Sequence, residues 1–434
     1  MSVFEQLRPF VSLCQACGLI PYTMENSLST KKFIKFTFSL RHFTTIWFSF
    51  IFILQLATIA VVFYFSMNRV VDFLSDGTFP LTITVVFGMN WLSIMAQLLA
   101  SRWISLQHRQ LQNAIEQVRE VERLFGDKFI MQHKSSVMTR FILGFILVLL
   151  AVTGLFFVFI PVYKSLLPSN MGILATTAIF SFGMLGLVMT ECIFLLAHLS
   201  YYIISHYIHL LLLHAESPDE LPVISQKEEG CNMRKWENST LILNHLCRAS
   251  SELNSIFSFP TLFMLTSKFI SVVSTAYVCV YSFSHPNHVL PDFSMSIPFV
   301  FFTDWMRIFV ALYAADMPVN QVRLLRERII AVSHSGLSQT LTDKIDAMSM
   351  LMQTDESRVR LSAVGLFNVG MHLIPAVSFY MIALRIQNEI VMLRYVNIII
   401  IKLGFEVNRS CSDLHGHPSS KLIRYTEYGQ CLPI

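Results

Sequence analysis

Charge is scarce in this 434-residue chain: only 14% of its residues are Asp, Glu, Lys or Arg, against 54% hydrophobic. A soluble fold of this length cannot bury so much apolar surface, which excludes the ordinary globular classes and points to a polytopic membrane protein. The net charge of +4 is too small for a nucleic-acid binder. Eight cysteines are scattered at 14, 17, 192, 231, 247, 279, 411 and 431 without a disulfide framework. Cys14 and Cys17 form a C-x-x-C, but no second pair completes a zinc site. Compact histidine boxes are missing as well. His198, His206, His209 and His214 lie loosely along one helix end, without the further boxes that a membrane di-iron oxidase needs, so neither an enzyme nor a cofactor is expected. No internal repeat is visible, which counts against a secondary transporter built from paired halves. Glu5, Arg8, Pro9 and Glu25 interrupt the N-terminal residues, so no cleavable signal peptide is expected.

What the chain has in abundance is long apolar runs. They predict an all-α protein with seven membrane spans, about Phe43 to Ser66, Phe79 to Ser101, Phe141 to Tyr163, Met171 to Leu213, Ile256 to Phe283, Ser294 to Asp316 and Leu361 to Gln387. The fourth run is far longer than a bilayer core requires, and helices four to six are expected to extend beyond the membrane on one side. Between spans two and three, Ile104, Leu111, Ile115, Val118 and Val121 keep a 3–4 spacing among basic residues, the mark of an amphipathic helix. Residues 214–255 read as an acidic loop.

Positive charge orients the spans. Residues 1–42 carry Lys31, Lys32, Lys35 and Arg41 directly before the first run, and the segments 102–140, 214–255 and 317–360 also carry several cations each, the acidic residues of 214–255 counting little for topology. Together these four segments hold 22 Lys and Arg, whereas the intervening loops up to Gln387 hold Arg69 and Lys164 alone. Cations stay in the cytoplasm, which predicts an internal N-terminus and an external C-terminus. A seven-span G-protein-coupled receptor has the opposite orientation and is rejected. The sequon Asn238-Ser239-Thr240 then faces inward and stays unmodified.

Several separated motifs resemble the insect gustatory receptor family of the insect chemoreceptor superfamily. Gly18-Leu19-Ile20-Pro21-Tyr22 is similar to that family's opening motif. Leu246-Cys247, Leu253-Asn254-Ser255-Ile256-Phe257-Ser258, Leu262, Leu265, Phe269 and Tyr277 resemble its fifth-span pattern. Arg323 to Met352, followed by Ser362-Ala363-Val364-Gly365-Leu366-Phe367, resembles its approach to the last helix. The chain departs from the family at Phe379-Tyr380 and Gln387-Asn388, where Thr-Tyr and Gln-Phe are usual, and residues 388–434 form an atypical tail.

The resemblance implies a tetrameric, ligand-gated, nonselective cation channel in the plasma membrane, homomeric or assembled with related receptors. Its partners are a small-molecule tastant, permeant cations and membrane lipid. Residues 43–316 would hold six helices and an outward-facing pocket, 317–360 an inter-subunit anchor, and 361–387 the pore helix. Ala376, Tyr380, Leu384 and Gln387 share one helical face; Gln387 would replace part of a cation's hydration and Leu384 or Ile386 would form an apolar constriction. The competing reading of Tyr380 and Gln387 is hydrogen bonding between helices. Ionisable residues inside spans mark function because their desolvation is costly; here they include Glu191, Lys268, Asp304 and Arg307. Asp304, Trp305 and Arg307 with Asn90, Trp91 and Gln97 are the candidate pocket for a polyhydroxylated or amine-bearing ligand, and Glu191 and Lys268 the candidate coupling pair. For each, contact between helices without any ligand is the alternative. An odorant-receptor-type channel of the same superfamily is the runner-up.

Overall fold

The computed structural model describes residues 11–26, 33–39, 41–75, 81–126, 139, 142–144, 146, 173–216, 235–284, 296–334 and 341–375. The chain forms two compact units, Met1–Leu373 and Ile374–Ile434, and the described residues fall almost wholly in the first.

The long apolar runs become long helices, because in a chain so poor in charge only intrasegment hydrogen bonding satisfies the backbone away from water. They are α1 Phe43–Ser75, α2 Leu81–Ser101, α4 Ile173–Glu216, α5 Lys235–Ser284 and α6 Ser296–His334; α3 is His108–Phe125 and α7 Leu341–Gln353. Within the described residues three stretches are long and apolar enough to cross a membrane, Phe43–Phe65, Glu191–Leu213 and Asn238–Ala276. The 44 residues of α4 span about 66 Å, so this helix does project past a bilayer core. The third run lies mostly outside the described residues.

Helix α3 follows a 3-10 turn, Arg102–Leu106, and buries Leu111, Ala114, Ile115, Val118, Val121 and Phe125, the stripe that its spacing predicts. It packs against α5, while α6 packs against both α4 and α5. Residues 235–255, expected as loop, are helical and continuous with α5. Their buried face explains why: Ile242, Leu243, Leu246, Ala249 and Leu253 recur at helical spacing and are all nearly inaccessible. The acidic residues that made the segment read as a loop lie largely before it, at 216–229.

The N-terminal segment is latched to the bundle. A helical turn over 11–16 ends at Gly18, whose φ of 69° and close approach to Ile51, with a Cβ position 3.0 Å from Ile51 Cβ, both demand glycine. Tyr22 donates its hydroxyl to the Ile104 carbonyl at 2.9 Å. Arg102 donates to the Gly18 carbonyl and to Gln55 Oε1, and its guanidinium lies 4.9 and 5.0 Å from the ring centres of Phe48 and Phe52. Burial without a carboxylate lowers the Arg102 pKa to about 10. The motif Gly18 to Tyr22 is therefore a latch between the N-terminus, α1 and the end of α2. Two small antiparallel pairs accompany the helices: β1 Thr23–Asn26 with β2 Phe33–Thr37, and β3 Ser362–Ala363 with β4 Phe367–Asn368.

The second pair corrects the sequence reading. A helix was expected from Leu361, but Leu361 to His372 form a hairpin and a turn, and helical geometry resumes only at residues 373–375. Two side chains from the long helices hold this segment. Asn254 Oδ1 of α5 accepts from the Ser362 backbone N–H at 3.1 Å, and Asp316 Oδ2 of α6 accepts from Met371 N–H at 2.7 Å. Val364 and Gly365 turn the chain with φ of 55° and 74°. A helix through Leu361 would forfeit these bonds, and apolar content alone does not distinguish the two outcomes. Glu356, just upstream, pairs with Arg323 of α6 at 3.1 Å and with Arg360 at 3.3 Å. The Arg323 guanidinium holds the Glu356 carboxyl below the usual range.

Asp316 approaches Met371 only because residue 370 is glycine: a Cβ there would lie 2.3 Å from Asp316 Oδ1. Gly370→Ala is expected to displace that carboxylate and cost about 1.5–3 kcal/mol, the worth of a hydrogen bond to a charged group. Thermal melting of the detergent-purified protein and tryptic cleavage after Arg358 and Arg360 will read this, as a lower melting temperature and faster cutting. Unchanged values would show that the carboxylate does not hold the hairpin.

Candidate functional site

Four ionisable residues inside apolar segments converge on one point. Glu191 comes from α4, Lys268 from α5, and Asp304 and Arg307 from α6. Arg307 Nη2 lies 2.7 Å from Glu191 Oε1, Arg307 Nη1 lies 2.8 Å from Asp304 Oδ1, and Lys268 Nζ lies 3.0 Å from the same Asp304 oxygen. Ser271 donates its hydroxyl to Asp304 Oδ2 at 2.5 Å. These side chains are nearly buried, with 4–11% of their surface exposed. Two cations and two carboxylates leave the cluster formally neutral. An isolated charge here would carry a desolvation cost of several kcal/mol, and mutual pairing offsets it.

Arg307 and Glu191 also line a cavity of about 640 Å³, within the range of small-molecule pockets. Its wall is mostly apolar, with Phe194, Leu195, Phe257, Met264, Met306 and Val310 among the contributors. Small residues make the room: Gly144, Ala197, Pro260, Ala311 and Ala314 face it from four helical segments. Gln97 is 7% exposed and Tyr201 2%, and both line it. Gln97 Nε2, the Tyr201 hydroxyl and Arg307 Nε make no hydrogen bond among the described residues. Leu361, the residue that leads into the β3–β4 hairpin, is part of the wall.

The structure thus joins what the sequence reading had separated. Gln97 and Arg307 of the expected pocket share the cavity with Glu191, and Asp304 lies against Arg307 within the same cluster as Lys268. Glu191 lines the cavity, and Lys268 reaches the cluster through Asp304. Trp305 is not among the residues lining the cavity, and the side chains of Asn90 and Trp91 lie outside the described residues, as do Ala376, Tyr380, Leu384, Ile386 and Gln387.

The cavity is lined by Gln97 and Ser101 in the last turns of α2 and by the stretch Thr303–Ala314 of α6. It follows the small residues, which cluster there. Tyr201 and Leu361 were not foreseen as site residues. Tyr201 had a signal, a hydroxyl within an apolar helical run, but Leu361 had none.

A family model described as 7tm Chemosensory receptor matches residues 7–383. None of the curated proteins matches the sequence. Among solved structures, the chain is similar to the insect olfactory receptor OR5 from Machilis hrabei, with a TM-score of 0.64 at 11% identity over 88% of this chain and 98% of that one. It is also similar to the same receptor in complex with eugenol, with a TM-score of 0.57 at 9% identity over 88% and 96% of the two chains. At this identity the likeness is one of fold: a mostly helical, multi-helix membrane protein.

The ion cluster yields a direct test. Asp304→Asn leaves Lys268 without a carboxylate and is expected to destabilise the protein by about 3–5 kcal/mol. Asp304→Leu combined with Lys268→Met removes one charge of each sign, keeps the Arg307–Glu191 pair, and should recover most of that loss in a thermal melt. Equal damage from the single and double variants would show that the two residues are not coupled.

Proposed function

The chain belongs to the 7tm chemosensory receptor family, and on that premise we propose that it is a gustatory receptor in which a bound tastant opens a nonselective cation channel. The receptor resides in the plasma membrane of a chemosensory cell as four subunits, identical or mixed with related receptors. Residues Ala376, Tyr380, Leu384, Ile386 and Gln387 line the central pore, with Gln387 substituting for water around the cation and Leu384 and Ile386 closing the path by dewetting.

The ligand pocket in this reading is the cavity beside the ion cluster. One observation carries it: the same cavity touches polar groups unpaired among the described residues and Leu361, the residue that leads into the last segment. Unpaired donors in an apolar chamber supply recognition, and contact with Leu361 supplies a mechanical route to the pore helix. Between them, Asn254 and Asp316 hold the connecting hairpin to α5 and α6, so a shift of either helix is passed to the chain that follows. Asn90, Trp91 and Trp305 extend the pocket towards the outer face.

An odorant-type receptor of the same superfamily is the second reading. It is favoured by the fold likeness to an olfactory receptor, one structure of which holds eugenol.

Expression of the chain alone in a cell without other receptors, with whole-cell recording during a panel of sugars, bitter compounds and volatiles, tests the proposal. Ligand-evoked cation current that persists when G-protein signalling is blocked is the expected result, and the active ligands decide between taste and odour. Uptake of a solute without conductance would sink the channel reading. Gln387→Ala is expected to change the relative permeability of sodium, potassium and calcium; unaltered permeability would instead assign Gln387 to contact between helices.

A further inference from the structure

The cavity carries more than its existence. We propose that it accepts an uncharged, largely apolar molecule bearing an ester, ether or ketone oxygen, and that this molecule enters sideways from the bilayer. The proposal rests on the reading of this cavity as the ligand pocket.

Charge is the first argument. Glu191, Asp304, Lys268 and Arg307 already sum to zero and are mutually paired. A carboxylate or ammonium ligand would bring a charge with no free counterpart among these four, and burying an uncompensated ion is costly. The second argument is the sign of the vacant hydrogen-bonding capacity. Gln97 Nε2 and Arg307 Nε can only donate, and the Tyr201 hydroxyl is a donor as well. Their complement is an acceptor oxygen. A polyol fits badly, because most of its hydroxyls would meet apolar wall and lose their water without a partner. A sugar or amine ligand, expected from the residue types alone, is therefore disfavoured by their arrangement.

The third argument concerns the route. Leu143, Met306, Val310 and Tyr313 line the cavity, yet they are 57%, 43%, 44% and 48% exposed. They form a doorway whose surroundings, Phe302 and Phe309 on the same helix, are also apolar and exposed. Met306 and Val310 fall inside the sixth span, and Leu143 near the start of the third, so this doorway opens at membrane depth. An apolar doorway at that depth favours a molecule partitioned into lipid over a dissolved charged or sugar-like one.

The full chain reconstituted in nanodiscs provides the test, with methyl 3-phenylpropanoate, 3-phenylpropanoate and 3-phenylpropylamine as probes of one shape and three charges. The ester is expected to bind at least ten-fold more tightly than either ion, and Gln97→Leu to weaken the ester about ten-fold. Val310→Trp, or Met306→Trp if that variant does not assemble, should slow both association and dissociation of the ester about ten-fold. Equal binding of the charged probes, or unaltered rates in an assembled doorway variant, would overturn the proposal. Ala311→Phe fills the cavity from its wall and separates the two levels. If the ester still binds, the cavity is not the pocket and the functional reading fails with it. If Ala311→Phe abolishes all binding but wild type does not discriminate by charge, only the present inference fails. Native mass spectrometry distinguishes the sources. An ester lipid that copurifies at one per subunit and is displaced by the probe assigns the site to bilayer lipid; probe binding without such a lipid assigns it to an external ligand that reaches the site by partitioning into the bilayer.

Discussion

The guanidinium of Arg307 stands between two carboxylates on two different helices, and the interior of the bundle is arranged around it. Within a bilayer, apolar side chains gain nothing by leaving lipid for protein, so association must come from packing, polar contacts and paired charge. Arg307 suits this role because its fork reaches Glu191 with one nitrogen and Asp304 with another. Lys268 closes the set through Asp304 and brings in the helix between. Three helices are thus held at one depth by charges that are each intolerable alone. The same requirement forbids tight apolar closure on every side. Where Gly144, Ala197, Ala311 and Ala314 face inward beside the cluster, a chamber remains, and its polar boundary is the cluster itself.

Away from the membrane, different chemistry holds the ends. The N-terminal latch depends on Arg102, buried with backbone and amide oxygens and two aromatic faces for partners. The hairpin before the last segment depends on Asn254 and Asp316, one from each of two long helices. These contacts are polar and directional, so they tie particular backbone atoms to particular helices where apolar packing would tolerate sliding.

How much of this was legible beforehand differed by element. The stripe of α3 was readable because its period lies within one helix, and Leu111, Ile115, Val118 and Val121 are buried as the spacing demands. The pairing of Asp304 with Arg307 was readable for the same reason, being three residues apart on one helix. The bonds to Glu191 and Lys268 were not, because they depend on how α4 and α5 are rotated against α6. Leu361 to His372 misled for another reason: their apolar composition suits a helix, and only Asn254 and Asp316, 108 and 55 residues away in sequence, make the hairpin the better solution.

The sequence by itself determined the class of the molecule, its helical runs and the residues that cannot sit alone in lipid, since length, period and charge are properties of a local stretch. It also carried the family's motifs, each legible without any knowledge of contacts. The tertiary structure decided which charges neutralise which and that Gln97, Tyr201 and Leu361 share one chamber. Those outcomes depend on the relative rotation and packing of helices far apart in the chain, and no single stretch of residues contains that information.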